Sequence, residues 1–234
     1  MTRFGWGATL WILSTLTLPA QLLVAAVWPR PYSWSANYIS DLGVTACGTL
    51  DAGTVLERFV CSPAHPLFNG SLIYNGVMLS LGALLLWSTW AGRRAGRVAM
   101  LVLVAAGVAV VGVGLFPSDT NSAAHNASAL AQAGLQWVAM GVLVFTLRGS
   151  TSARWARRVT SGCLIVSLVG FALFVDAIGG GASLALGVGL TERIAFDTLT
   201  LWSAVLGVIL LVKGPAAFAS AAASAPRAVN TRVR

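Results

Sequence analysis

The apolar positions of this chain fall in long unbroken runs, not in the stripes of a soluble helix or the alternation of a strand. "LVLVAAGVAVVGVGLF", residues 101–116, is one of them. A helix needs about 20 apolar residues to cross the hydrocarbon core of a bilayer. Six runs approach or exceed that length, near residues 7–28, 67–91, 98–116, 126–147, 159–178 and 189–212. A membrane barrel would instead alternate polar and apolar positions in segments of about ten residues. The pattern therefore predicts an all-α integral membrane bundle of six transmembrane helices, forming one domain over residues 1–212. The first run is too long for a signal-peptide core and continues into "WPRP", so it is read as retained. After Lys213 the chain turns Ala/Ser-rich and basic without an apolar period, which predicts a disordered cytoplasmic tail over 213–234.

Composition agrees and adds orientation. Charged residues make up 9% of the chain, against roughly 25% in a soluble domain. Of the 15 basic residues, 12 lie between spans two and three, between spans four and five, or on the two ends of the chain. Six spans put all of these on one side, and the positive-inside rule makes that side cytoplasmic. Both termini are then cytoplasmic, and loops 29–66, 117–125 and 179–188 are outside. The net charge of +8 reflects this topology and anionic lipid headgroups, not nucleic acid, because no basic, aromatic-interleaved soluble surface exists. The expected location is the cell membrane.

The seven acids fall on the opposite side, in outer loops or the outer halves of spans. Solubility accounts for Asp51, Glu57 and Asp176. Asp41, Asp119, Glu192 and Asp197 sit against or within apolar sequence, where an ionisable group is costly and faces a cavity or a partner. Asp41 lies in "YSWSANYISDLG", among Tyr32, Trp34 and Tyr38. Cys47 and Cys61 share the same outer loop and are candidates for a disulfide, with two free thiols as the alternative; Cys163 is a packing residue.

Between spans three and four, Pro117 stops the helix and Asp119 follows at once. His125, Ser128, Gln132 and Gln136 then recur at steps of three, four and four, which places them on one helical face. Such a stripe lines a wet cavity or bonds helices together. Asp119 with His125 forms an acid–imidazole pair able to exchange protons. In "GLTERIAFDTLTLW", Arg193 and Asp197 are spaced to pair on one face. Glu192 then faces outer water, or enters the same cavity as Asp41 and Asp119. In span two, His65 and Asn69 share a face, and Asn69 is the candidate for a role beyond packing.

"YISDLG" after the first span, "FPSDTNSAAH" before the fourth and "GLTERI" opening the sixth, on a six-span frame, carry a resemblance. Up to residue 212 the chain resembles the bacterial membrane family catalogued as domain of unknown function 998. That family is in turn similar to the eukaryotic Frag/DRAM/Sfk membrane proteins, which place an "ISD"-type motif after their first span and are linked to lipid remodelling. The resemblance implies that Ser40, Asp41, Asp119, His125, Glu192 and Arg193 matter together, without implying a chemistry.

Two histidines, His65 and His125, are too few for the multi-histidine zinc site of ceramidase-type hydrolases unless carboxylates complete it, and only their shared face favours a bis-histidine haem. The expectation is thus no cofactor and no metal. What remains is acid–base catalysis on a lipophilic lipid or isoprenoid substrate near the outer membrane face, with an integral membrane terpene cyclase as the concrete instance. A carboxyl group desolvated among aromatic side chains can hold its proton and act as an acid, and aromatic faces stabilise cations. Asp41, Asp119, His125 and Glu192 are the expected catalytic residues. Trp34, Tyr38, Asn69, Gln132, Arg193, Asp197 and Trp202 are expected to bind substrate. The alternatives are a non-catalytic lipid-binding or lipid-organising protein, and a small transporter, which the lack of an evident inverted repeat disfavours.

Overall fold

The computed structural model describes residues 2–90 and 92–219. Six helices among them are long and apolar enough to cross a membrane: α1 (Arg3–Ala26), α2 (His65–Trp90), α3 (Arg94–Leu115), α4 (Ser122–Thr146), α5 (Arg154–Ile178) and α6 (Val188–Lys213). The protein is a multi-pass, all-α membrane bundle. Several helices start before the apolar runs that announced them, because hydropathy marks where a helix meets lipid and hydrogen bonds mark where it ends. Thr2 caps the Gly5 amide at 3.2 Å and starts α1 early. The arginines of "RWARR" are already helical in α5.

The boundaries follow from local chemistry. Pro66 sits in the first turn of α2, where its missing N–H costs nothing. The Asn121 side chain caps the Ala124 amide at 3.1 Å and opens α4. Within α1, residues Ser14–Leu16 tighten into a 3-10 turn. Pro19 has no N–H for the Thr15 carbonyl, and the Ser14 and Thr15 hydroxyls bond back to Trp11 and Ile12 at 2.7 and 2.6 Å.

Packing runs in sequence order, α2 on α3 and α3 on α4, with α5 on α6; α1 joins the two groups through α2 and α6. The α2–α3 seam is close because Gly76 and Gly107 face each other, and a Cβ on either would meet the other's carbonyl. Trp11 and Trp202 fill the middle of the bundle, ring centroids 6.1 Å apart. Both indoles are bonded, Trp11 to the Leu79 carbonyl at 3.1 Å and Trp202 to the Thr160 hydroxyl at 3.0 Å. Leu22, Leu101, Val108, Ile165 and Val169 point outward and form the lipid-facing surface. By contrast, α4 meets α5 over a short length and α6 hardly at all. That parting creates the site.

Loops 27–64, 116–121 and 179–187 gather at one end of the bundle. At the other end Arg93 donates to the Thr146 carbonyl at 2.5 Å and Ser152 to the Ala217 carbonyl at 2.9 Å. The tail expected from residue 213 begins there as packed structure: Ala216–Ala219 is a helical turn, and Phe218 is buried against Trp90, 6.2 Å between centroids. Residues 220–234 lie outside the described ones. The long loop carries a small hairpin that sequence periodicity did not announce, β1 (Gly48–Leu50) antiparallel to β2 (Arg58–Val60), with Thr49 opposite Phe59. Its register brings Cys47 opposite Cys61, Cα atoms 4.2 Å apart and joined as a disulfide.

Candidate functional site

The loop after α1 folds down onto the start of α6. Gly189 donates its amide to the Ser35 carbonyl at 2.7 Å, and a Cβ there would run into the Asn37 carbonyl, so only glycine allows the approach. Arg193 then fastens the loop. It donates to the carbonyls of Trp34, Asn37 and Gly189 at 3.1, 3.0 and 2.8 Å and to the Tyr32 hydroxyl. Its guanidinium also lies 4.9 Å from the Trp34 ring and 5.4 Å from that of Tyr32. Burial pushes the Tyr32 phenol well above the usual tyrosine value even with this cation beside it.

Asp41 is fully buried in the same loop and is saturated. Arg58 of β2 grips both its oxygens, Nε to Oδ2 at 2.7 Å and Nη2 to Oδ1 at 2.9 Å. The Tyr38 amide and the Asn37 side chain add donors to Oδ2 at 2.9 and 3.2 Å. Arg58 also stacks 4.1 Å from the Tyr38 ring. Burial raises the Tyr38 phenol to about 12, which keeps it neutral. The result is a buttress that clamps the hairpin to "YISDLG".

Beneath this loop lie two adjoining cavities. The larger, about 620 Å³, is the cleft between α4 and α5. Tyr38, Phe171, Phe174 and Phe196 form an aromatic wall, with Phe174 edge-on to Tyr38 at 5.9 Å and to Phe196 at 6.5 Å. Leu130, Val175 and Ile178 lie at its edge and are themselves exposed, so the cleft opens toward the lipid side. The smaller, about 60 Å³, is an inner chamber among α1, α2, α3, α4 and α6, with Thr17, Gln21, Asn75, Gln132, Asp197 and Thr200 on its walls. Ser40, His125, Ala129, Glu192 and Phe196 line both. One Glu192 oxygen accepts the Ile39 amide at 2.5 Å, which sets the acid directly under "YISDLG". The His125 Nδ1 bonds the Phe116 carbonyl at 2.8 Å; a carbonyl only accepts, so Nδ1 carries the proton and Nε2 remains the proton-accepting nitrogen.

The structure thus brings together part of the expected set. Glu192 and His125 share both cavities, Tyr38 lines the cleft, and Gln132 and Asp197 line the chamber. Asp119 stands at the cleft mouth but does not pair with His125. It is spent on the loop instead, its Oδ2 accepting from the Thr45 amide and hydroxyl at 2.7 and 2.8 Å and from the Ala46 amide at 3.1 Å. The expected Arg193–Asp197 pair is also replaced: Arg193 reaches the loop and Asp197 takes the Gln21 amide at 2.8 Å. Asp41, Trp34, Asn69 and Trp202 are not on the cavity walls. Asn69 ties the Gly43 carbonyl at 2.9 Å, and Trp202 is in the bundle core. His65 bonds the Ser62 carbonyl at 3.0 Å, away from both cavities.

A family model described as "Protein of unknown function (DUF998)" matches residues 12–209. The chain belongs to this family. No curated protein and no solved structure matches the chain. The matched stretch contains every residue named above on the walls of the two cavities.

Several residues of the site went unnoticed in the sequence. Gln21 is one, although a lone amide in "LPAQLLVAAVW" is costly in lipid and was a usable signal. Arg58 is another. Among the described residues it is one of three basic residues at this end of the bundle, and its partner lies 17 positions away. Phe171 and Phe174 gave no signal, because an apolar residue on a membrane helix reads the same whether it faces lipid or a cleft.

Proposed function

We propose that this protein is an integral membrane enzyme that performs acid–base chemistry on a lipophilic substrate held in the α4/α5 cleft, with Glu192 as the proton donor. The observation carrying this reading is that Glu192 and His125 both line an aromatic cleft of about 620 Å³, a size that suits a small ligand. A cyclisation or isomerisation of an isoprenoid fits those parts. The Glu192 carboxyl adds its proton to a double bond or an epoxide oxygen, leaving a carboxylate and a carbocation. The faces of Tyr38, Phe171, Phe174 and Phe196 stabilise the cation. A carbon beside the cationic centre then releases a proton to Glu192, directly or through His125 Nε2, and the acid is regenerated with no other reactant. The basic residues at the terminal end favour both termini in the cytoplasm, which puts the cleft at the outer face of the cell membrane.

Asp41 and Asp119 are bonded into the loop, which favours as the second reading a non-catalytic lipid-binding protein whose cleft holds a lipid chain. Glu192→Gln separates the two. Lipid extracts of cells making the variant should lose the product by about 100- to 10,000-fold, the loss typical of a missing general acid, at unchanged amounts of inserted protein. Product at the parental level would end the proton-donor role. Extracts that do not differ between cells with and without the protein would leave lipid binding as the function.

A further inference from the structure

The inner chamber has a chemistry of its own, distinct from that of the cleft. Two carboxylates, Glu192 and Asp197, line it, and neither is in a salt bridge among the described residues. Arg58 holds Asp41 and Asp51, and Arg193 holds the loop carbonyls and Tyr32. Acids within a membrane bundle are costly without a partner. The neighbouring amides spend N–H groups on other residues of the chamber wall. Gln21 donates to Asp197 Oδ1 at 2.8 Å and Asn75 to the Thr200 hydroxyl at 3.3 Å, so each leaves its carbonyl oxygen without a protein donor. Asp197 Oδ2 likewise has no hydrogen-bond donor among the described residues.

Independently of the acids, Gln132 points to an occupant. Its side chain lines the chamber, is 9% exposed, and has no hydrogen-bond partner among the described residues. An amide facing an apolar-walled chamber costs free energy unless an occupant, water or ion, bonds it. Gln132 joins the chamber from α4, Gln21 from α1, Asn75 from α2 and Asp197 from α6, so neutral and charged oxygens converge from four helices. Carboxylate, amide and hydroxyl oxygens are the ligands of hard cations. A space of about 60 Å³ takes an ion with a water or two and excludes a bulky organic cation.

We propose that the inner chamber is a binding site for a small monovalent cation of sodium size, with Asp197 as its charged ligand and the side-chain oxygens of Gln21, Asn75 and Gln132 completing it. The ion neutralises Asp197 and bridges α1, α2, α4 and α6 beneath the loop. This goes beyond the proposed reaction and does not depend on it, since it concerns the protein without substrate.

The test is thermal unfolding of the detergent-purified chain in sodium, lithium, potassium or choline chloride at matched ionic strength, paired with equilibrium binding of radiolabelled sodium. Sodium should raise the midpoint over choline by about 3–10 °C once it exceeds its dissociation constant ten- to a hundredfold. Labelled sodium should be displaced by unlabelled sodium and not by choline. Asp197→Asn keeps the oxygen that receives Gln21 and should abolish both effects. Gln132→Ala, which removes an unpaired group, should weaken binding while leaving a folded protein if Asp197→Asn does not fold. Equal midpoints in sodium and choline, or sodium binding that survives both substitutions, would overturn the proposal and leave the carboxyls to carry protons instead.

Discussion

At Asp41 the loop places a full negative charge where no water reaches, and Arg58 answers it with two hydrogen bonds to two oxygens. Removing one partner of such a buried pair strands the other, at a cost of about 3–5 kcal/mol. Asp41→Ala should therefore lower stability in detergent by that order. Asp51, half-exposed and bonded to the same guanidinium at 2.5 Å, should cost under about 1 kcal/mol when changed to Ala. Comparable losses at both positions would mean that the pair does not behave as a buried clamp. Asp119 offers a pH test. Its partial burial works to raise the carboxyl, but the donors from Thr45 and Ala46 outweigh it and hold the group below the usual carboxylate range. A lowered folded value stabilises above the unfolded pKa, near about 4, and the gain is lost as pH falls through the lower folded value. Asp119→Asn should thus be less stable than the parent at neutral pH, and the gap should close in acid. A gap of constant size down the titration would assign the effect to shape instead of charge.

Among the elements, the hairpin depends most on a covalent tie. Strands of three residues make few ladder bonds, and an isolated two-stranded hairpin is marginal in water. The Cys47–Cys61 bond spans 14 positions. Closing a loop of about 15 residues is worth about 3 kcal/mol in the chain-entropy account. Unreduced peptides should show the two cysteines linked in mass spectra, and the double Cys→Ser variant should unfold at lower temperature and expose the loop to protease. Two separately alkylated thiols in native protein would remove the tie. The helices themselves behave differently: proline, glycine and side-chain caps set their limits within a few residues of where the pattern expected them, because those are local effects.

On the scale of the molecule, orientation is an electrostatic property of the whole chain. Thr151 lies in the loop between α4 and α5 and Ala182 in the loop between α5 and α6, both exposed and at opposite ends. With Cys163 replaced by Ala, a cysteine at Ala182 should react with an impermeant thiol reagent added outside intact cells, and one at Thr151 should not. The reverse result would invert the bundle and place the cleft at the cytoplasmic face. The cleft itself is a consequence of packing order, since α4 packs on α3 and parts from α6, and no single helix encodes that gap.

Six spans, the uneven division of charge and a candidate pair of cysteines in one outer loop were legible from the residues alone. Each depends on chain length, hydropathy or spacing, and none needs a partner's coordinates. The polar stripe of α4 placed His125, Ser128, Gln132 and Gln136 on one face, because helical periodicity is local, but only the fold put His125 and Gln132 on cavity walls. The roles of the acids were decided only in three dimensions. Asp41, Asp119, Glu192 and Asp197 look alike as carboxylates near apolar sequence. They are told apart by what folds against them: Arg58 from a hairpin, the Thr45 and Ala46 amides from a loop, Gln21 from α1, and for Glu192 a single backbone amide and two cavities. Those partners lie between 17 and 176 positions away in the chain. A carboxylate's chemistry is set by the donors and the space around it, and over such separations only the tertiary fold supplies both.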